Sequence, residues 1–412
     1  MKETPKDHHI EKNGSKLNRK ANDWIDHSSF KQKTLVLIII TVLIYGSGIT
    51  YIWTFTDTST SDFDVHLYQS RTRTILDGGL LYKDVHTETP PLINYVMIPA
   101  QVLGGADNPW IYALYASFFA FLLAMLMYMS FRKYDDKKAF LIGFLILLCP
   151  FMIDKTIVSD DDSIVAFFFM LGAVSMLFEK PRTSAAMIAI GIWTKMWAIL
   201  LLPVQFLRLR TWKERIDTIV IVAIVTVIIA IPYVILCYDE FLDFLSYYFL
   251  IKANRTMEGF SMTVFLERGG MGIPKALMLG IVLISLLVAV LYSHHKGWGA
   301  WKSATFVMIV FIIVYPKMHM GYYIMPMALL MVWAVDDWRI LVRLFVSFLP
   351  LHYAAVCQTG KAEFLGDWFG NSNIWLFGFV LALIGTLLFV DAMRLAFKRE
   401  LLSDRENAMV PE

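Results

Sequence analysis

The chain has 412 residues, 57% hydrophobic and only 17% charged, with a formal net charge of +2 and a mean hydropathy of +0.57. Soluble domains carry about 25% charged residues, so that class is excluded, and the near-neutral balance speaks for no nucleic-acid partner. Cys149, Cys237 and Cys357 are too scattered for a disulfide framework or a zinc site.

From the N-terminus, Met1 to Lys33 is polar and rich in Lys and His. It is too long and polar for the charged start of a cleaved signal and reads as a disordered cytosolic tail (1–33), in which His8 and His9 are mobile side chains rather than ligands. The apolar run 34–54 follows as an uncleaved anchor. It is the first of about twelve runs, near 34–54, 109–131, 139–153, 161–178, 183–193, 196–207, 216–237, 274–293, 303–316, 321–336, 341–357 and 373–393. A span needs roughly 20 apolar residues, fewer where a helix is buried or broken. The runs do not alternate in polarity as barrel strands do, so the fold class is all-α, a polytopic transmembrane helical bundle.

The first segment between spans, 55–108, contains "DFDVHLYQSRTRTILDGGLLYKDVHTETPPLINY". Between Asp57 and Glu88 it holds six carboxylates, two histidines, Arg71, Arg73 and Lys83. Gly78-Gly79 reads as a helix stop and "TPP" as a second break, giving two short helices joined by a compact turn. "PPLINYVMIPAQVLGG" reads as a short helix lying at the interface, because counting it as a crossing would move "RKYDDKK" to the outside. Next come "RKYDDKK", the short loop "DKTIVSDDD" (154–162), and "AIGIWTKMWAILLLP", read as paired half-helices turning at Lys195. After "LRLRTWKER" and one more span, the segment 238–273 carries "FLDFLSYYF", an amphipathic surface helix, and the sequon "NRT" at Asn254. C-terminal transmembrane helices fill 274–393, the last three or four spans carrying few ionisable groups and reading as scaffold, before a cytosolic tail, 394–412. With both termini inside, inner segments hold most of the 37 Lys and Arg residues, as the positive-inside rule requires. The expected location is an integral multi-pass membrane, the cell membrane if the source is prokaryotic.

Acids gather at the outer ends of two spans, Asp62/Asp64 and Asp160/Asp161/Asp162. Charges at such depth usually line a watery functional site. A carboxylate there could act as general base, or two could share a divalent cation, Asp64 with Asp161 being the candidate pair. The composition permits a metal but does not demand one, and helix capping is the plain alternative for each aspartate. Lys195 lies in an apolar stretch, where it must snorkel, pair with an acid or bind an anion. Arg71 and Arg73 suit phosphate, or pair with Asp77 and Glu88. No Gly-rich nucleotide fingerprint is visible.

Three stretches together resemble the GT-C superfamily of membrane glycosyltransferases, which use polyprenyl-phosphate sugar donors and include mannosyltransferases, protein O-mannosyltransferases and aminoarabinose transferases. They are "DFDVHLY…ILDGGLLYKDV…TPPLINY", "CPFMIDKTIVSDDDSIVAFFFML" and "AIGIWTKMWAILLLPVQFL". Together they define a catalytic transmembrane module, 34–273. The resemblance implies a donor held by its lipid tail, with glycan, lipid or protein hydroxyl as acceptor. It implies that Asp64, four before Tyr68, is the base, with Asp62 its rival. Substrate-binding roles fall on Lys195, Arg71, Arg73, Tyr82, Glu88, Asp160, Asp161 and Asp162. Some relatives carry Lys or His just before the Pro-Pro pair, where this chain has Thr89 preceded by Glu88. A transporter or flippase would place charge near the midplane in two similar halves, unlike this one-sided cluster. A non-catalytic subunit of the same fold is a third reading.

Overall fold

The computed structural model describes residues 22–56, 64–248, 259–358 and 373–402. Asp62 and the sequon at Asn254 lie outside the described residues, as do 1–21 and 403–412 of the two tails.

The first span, α1 (Phe30–Phe55), starts earlier than the apolar run does, because Ser29 and Gln32 form a reciprocal capping box. Residues 22–27 are helical as well, so 22–33 belong to the fold and not to a disordered tail. Lys33 is buried and pairs with Asp136, which also accepts from Tyr128 and Arg132. A buried lysine needs such a partner, and this one ties the base of α1 to the two helices that follow the first loop.

In that loop, α2 (Val65–Leu76) stops where expected. Gly78 takes φ 82°, and the Gly79 and Gly78 N–H groups donate to the Thr74 and Ile75 carbonyls, the doubly bonded helix end that glycine favours. A short helix α3 (Pro91–Val96) and two further turns, Ile98–Ala100 and Gln101–Gly105, replace the single interfacial helix expected there. The chain then runs through α4 (Trp110–Phe131), α5 (Asp136–Leu147) and α6 (Pro150–Ile157). The last two meet at 45°, since Pro150 cannot continue the preceding helix.

Next, α7 (Asp162–Leu177) and α8 (Pro181–Thr194) form an antiparallel pair. Lys195 is extended (φ −159°, ψ 134°), breaking the chain before a 3₁₀ turn, Met196–Leu200, and α9 (Leu201–Arg208). These are the expected half-helices with their turn at the lysine. There follow α10 (Trp212–Leu236), α11 (Tyr238–Tyr248), α12 (Met262–Arg268), α13 (Lys275–His295) and α14 (Ala300–Val314). A 3₁₀ turn, Met320–Tyr323, leads into α15 (Ile324–Ala334), and the chain closes with α16 (Trp338–Val346), α17 (Phe348–Gln358) and α18 (Ile374–Ala396).

Among the described residues, six helical stretches are long and apolar enough to cross a membrane: α1, α4, α10, α13, α16 with α17, and α18. The bent pair α5–α6 makes a seventh. The other expected spans coincide with shorter helices. These include α7, α14 and α15, and every residue of α15 is buried. A helix wrapped by protein need not match the bilayer thickness. By contrast α10 and α13 turn Ile224, Ile228, Ile235, Leu283, Ile284 and Leu287 outward, the surface that lipid covers. The chain is an integral, multi-pass membrane protein whose core lies where α4, α8, α14 and α15 meet α7.

Candidate functional site

Three breaks in the helical bundle bring charge together. Asp161 and Asp162 open α7, Lys195 sits in the break after α8, and Lys155 and Asp160 flank the α6–α7 turn. Lys195 Nζ donates to Asp161 Oδ1 at 2.8 Å and to Asp162 Oδ1 at 2.9 Å. It also lies 5.2 Å from the centre of the Tyr322 ring. Lys155 Nζ stands 3.1 Å from Asp160 Oδ2. Asp161 makes no capping bond with its side chain, so helix capping does not account for it. The carboxylates are 3% and 6% exposed at Asp161 and Asp162, a burial that only paired charges tolerate.

Asp64 stands at the start of α2, exposed and making no capping bond. Its charge reaches Asp160, Asp161 and Tyr68, so the start of α2 and the α6–α7 turn share one electrostatic cluster. Burial outweighs the Lys155 charge at Asp160, and Asp64 and Asp162 add to it, pushing that carboxyl up to about 7. For Lys195 burial opposes the charge, but Asp161 and Asp162 more than offset it and hold the amine protonated.

A third wall comes from the α14–α15 connection, "YPKMHMGYY", which the sequence reading had assigned to scaffold. It brings Lys317, His319 and Tyr322 to the cluster. Burial and the nearby Lys195 and Lys155 lower His319 to about 4, so its imidazole is neutral at physiological pH and can accept a hydrogen bond. The signal was present in the sequence: two ionisable groups between a Pro and a Gly inside an apolar stretch. Lys155 was likewise missed, although it stands within the quoted acidic loop.

Gly321 lets this wall approach. A Cβ built there would collide with the Asp162 carboxylate and fall 2.7 Å from Asp162 Cβ. Gly321→Ala must therefore displace the Asp162 carboxylate. We expect a loss of catalytic rate of about 10²-fold, the scale of a misplacement near 1 Å, in protein that still purifies folded. Unchanged turnover would show that the position of Asp162 is immaterial.

Of the other expected residues, Arg71 lies on the same α2 stripe as Asp64 and Tyr68 and is buried, while Arg73 is exposed. Tyr82 does not present a free hydroxyl. At φ 73° its ring is enclosed by Tyr233, Phe241 and Phe244, and its hydroxyl donates to the Thr89 carbonyl. It is a wedge fixing the first loop against α10 and α11. Glu88 lies 3.8 Å from His86. The candidate metal pair is Asp64 with Asp161. Among the described residues no group of three or more His, Cys, Asp or Glu is placed to hold an ion, and Asp161 Oδ1 is taken by Lys195. A cavity of about 660 Å³ opens at the far end of α7 and α8, lined by residues including Lys133, Lys180, Arg208 and Glu214, and includes none of the cluster.

The family model described as Glycosyltransferase family 87 matches residues 89–316, more than half of the chain. The chain belongs to glycosyltransferase family 87. As a family 87 member it falls within the GT-C superfamily, as the three sequence stretches implied, and it is a membrane glycosyltransferase. The matched segment includes Lys155, Asp160–Asp162 and Lys195 and ends just before Lys317. No curated protein matches the chain. Among solved structures, the family 87 fold is similar to ArnT from Cupriavidus metallidurans. The apo crystal structure gives a TM-score of 0.52 at 14% identity. The crystal structure bound to undecaprenyl phosphate gives 0.51 at 15%. Each match covers 89% of this chain and 77% of ArnT. At that identity the likeness shows a shared fold.

Proposed function

We propose that this family 87 glycosyltransferase moves a sugar from a polyprenyl-phosphate donor to an acceptor hydroxyl at the outer face of the membrane, with Asp64 as base. The observation that carries the reading is the pairing within the cluster. Asp160, Asp161 and Asp162 each have a lysine within 3.1 Å. Among the described residues Asp64 has none, and it is exposed at the mouth of the same cluster. An unpaired, accessible carboxylate is the one free to take a proton.

In the reaction, Asp64 accepts the proton of the acceptor hydroxyl as its oxygen attacks the anomeric carbon. The bond from that carbon to the phosphate oxygen breaks, and the phosphate leaves with the electron pair on its lipid. Direct displacement inverts the anomeric centre. A bound undecaprenyl phosphate in the ArnT structure supports a donor of this class. The charge distribution supports both termini on the cytosolic side. The acceptor is a glycan, lipid or protein hydroxyl.

The test is sugar transfer by the purified protein in lipid, offered polyprenyl-phosphate sugars and, separately, nucleotide sugars. We expect product from the former alone. Transfer from a nucleotide sugar without any lipid intermediate would overturn the donor assignment.

A further inference from the structure

The cavity of about 660 Å³ at the end of the bundle away from the charged cluster has a charge balance of its own. It opens where α7 ends, α8 begins and α9 gives way to α10. Four cations line it, Lys133, Lys180, Arg208 and Arg210, against two carboxylates, Glu179 and Glu214. Glu214 is already engaged, accepting from the N–H groups of Arg210 and Thr211 in the cap of α10. That leaves Glu179, whose charge reaches Arg208. Among the described residues none of the four cations is ion-paired, whereas Lys137, Lys138 and Arg182 at the same end of the bundle hold Asp26, Asp336 and Asp217. The Arg208 guanidinium donates to the Trp298 carbonyl. Lys133 rests over the Tyr134 and Phe178 rings, 4.5 and 5.1 Å from their centres. Both arrangements steady a cation without cancelling its charge. The start of α8, which has no side-chain cap, adds a partial positive charge to the same wall.

What borders the cavity tells which kind of anion it takes. Glu214 lies in the first turn of α10. In that turn Trp212 is 71% exposed, and Ile216, Ile219, Val220 and Ile224 follow it as exposed apolar residues. An exposed tryptophan at the foot of such a surface marks the headgroup level of a bilayer. A molecule whose chains lie along α10 therefore carries its polar head at the depth of the four cations. A soluble phosphate has no use for that apolar surface.

We propose that this cavity binds the headgroup of an anionic phospholipid, taken from the leaflet on the side away from the charged cluster. Lys133, Lys180, Arg208 and Arg210 face its phosphodiester, and its acyl chains lie along α10. Basic pockets between helices at the membrane surface hold anionic headgroups in this way. The site is separate from the proposed centre of sugar transfer and does not depend on the donor reading. It also gives the lipid a structural task. A headgroup held here joins the starts of α8 and α10 to the end of α7, and the other ends of α7 and α8 carry Asp161, Asp162 and Lys195.

The experiment measures binding of phosphatidylglycerol, phosphatidylcholine and glycerol phosphate to the purified full chain by native mass spectrometry. Thermal midpoints are taken alongside, in nanodiscs of phosphatidylcholine with and without phosphatidylglycerol. We expect wild type to prefer phosphatidylglycerol to phosphatidylcholine by about tenfold or more, since each cation near an anionic lipid is worth about fivefold. Its midpoint should rise with phosphatidylglycerol, as binding to the folded state requires. The triple variant Lys133→Gln, Lys180→Gln, Arg210→Gln should lose most of the preference and of the rise. Lys296→Gln, which removes an exposed cation at the same end but outside the lining, should keep most of both. Should the triple variant not fold, Lys180→Glu, a change at one exposed side chain, must still lower the preference. A wild type that does not distinguish the two lipids would overturn the proposal, as would an unchanged preference in the triple variant or in Lys180→Glu. An equal loss in Lys296→Gln would overturn it as well, by showing diffuse surface attraction. Binding of glycerol phosphate as tight as that of phosphatidylglycerol would make the cavity a site for soluble anions instead.

Discussion

Asp64→Asn should lower sugar transfer by ~10²–10⁴-fold, the contribution typical of a positioned general base, while the protein stays folded in the membrane. Asparagine keeps the size of the side chain and its place at the start of α2 but cannot take up the acceptor's proton. The residue is exposed and makes no capping bond, so the thermal midpoint should hardly move. Removing its charge should also ease the ionisation of Asp160, whose carboxyl Asp64 helps to raise. A titration near pH 7 should therefore shift to lower pH in the variant. Near-normal transfer in Asp64→Asn together with loss in Asp62→Asn would move the base two residues towards the N-terminus. Activity in both would end the mechanism.

Lys195→Met should damage both stability and transfer. Wild-type Lys195 holds two buried carboxylates, at 2.8 and 2.9 Å. Taking it away leaves adjacent acids facing each other without a counter-charge, and breaking a buried pair in this way costs about 3–5 kcal/mol. Adding Asp161→Asn and Asp162→Asn to Lys195→Met removes that repulsion and should restore most of the midpoint. If the cluster serves transfer, activity should stay low in the restored protein. A stable and fully active Lys195→Met would show that the lysine merely snorkels. Recovery of transfer along with stability in the triple variant would show that the cluster is scaffold.

What the sequence could convey depended on the kind of signal each element carries. The Gly78-Gly79 stop and the break at Lys195 follow from local chemistry, and both occur where local chemistry puts them, whereas the Pro150 bend divides a run, 139–153, that reads as one span. The start of α1 did not follow from hydropathy, because its first turn is fixed by the Ser29–Gln32 box and by Lys33 pairing with Asp136, a hundred residues away. For the site, the depth and sidedness of the acids pointed to Asp62/Asp64 and the three aspartates, the apolar surroundings pointed to Lys195, and the preference for Asp64 over Asp62 came from the resemblance. Pairing was not legible: nothing in one sequence says that Lys155 takes Asp160 while Lys195 takes the other two. Nor could it say that the Tyr82 ring packs against Tyr233 and Phe241 while its hydroxyl donates to the Thr89 carbonyl. His319 and Gly321 were overlooked for a simpler reason. They lie in a connection of the C-terminal half, and only the folded chain brings that connection against the N-terminus of α7.

The interleaving of lysines and carboxylates also bears on how a charged lipid arrives. Asp64, Asp160, Asp161 and Asp162 are set against Lys155, Lys195 and Lys317, and such near-cancelling charges leave little field beyond a Debye length, about 8–10 Å at physiological salt. An anionic headgroup is then not drawn in from afar, as steered association requires. Under the proposed lipid-linked donor it would meet the protein by drifting within the plane of the bilayer and be held only once contact is made. The encounter rate should accordingly follow membrane fluidity and lipid density far more closely than ionic strength.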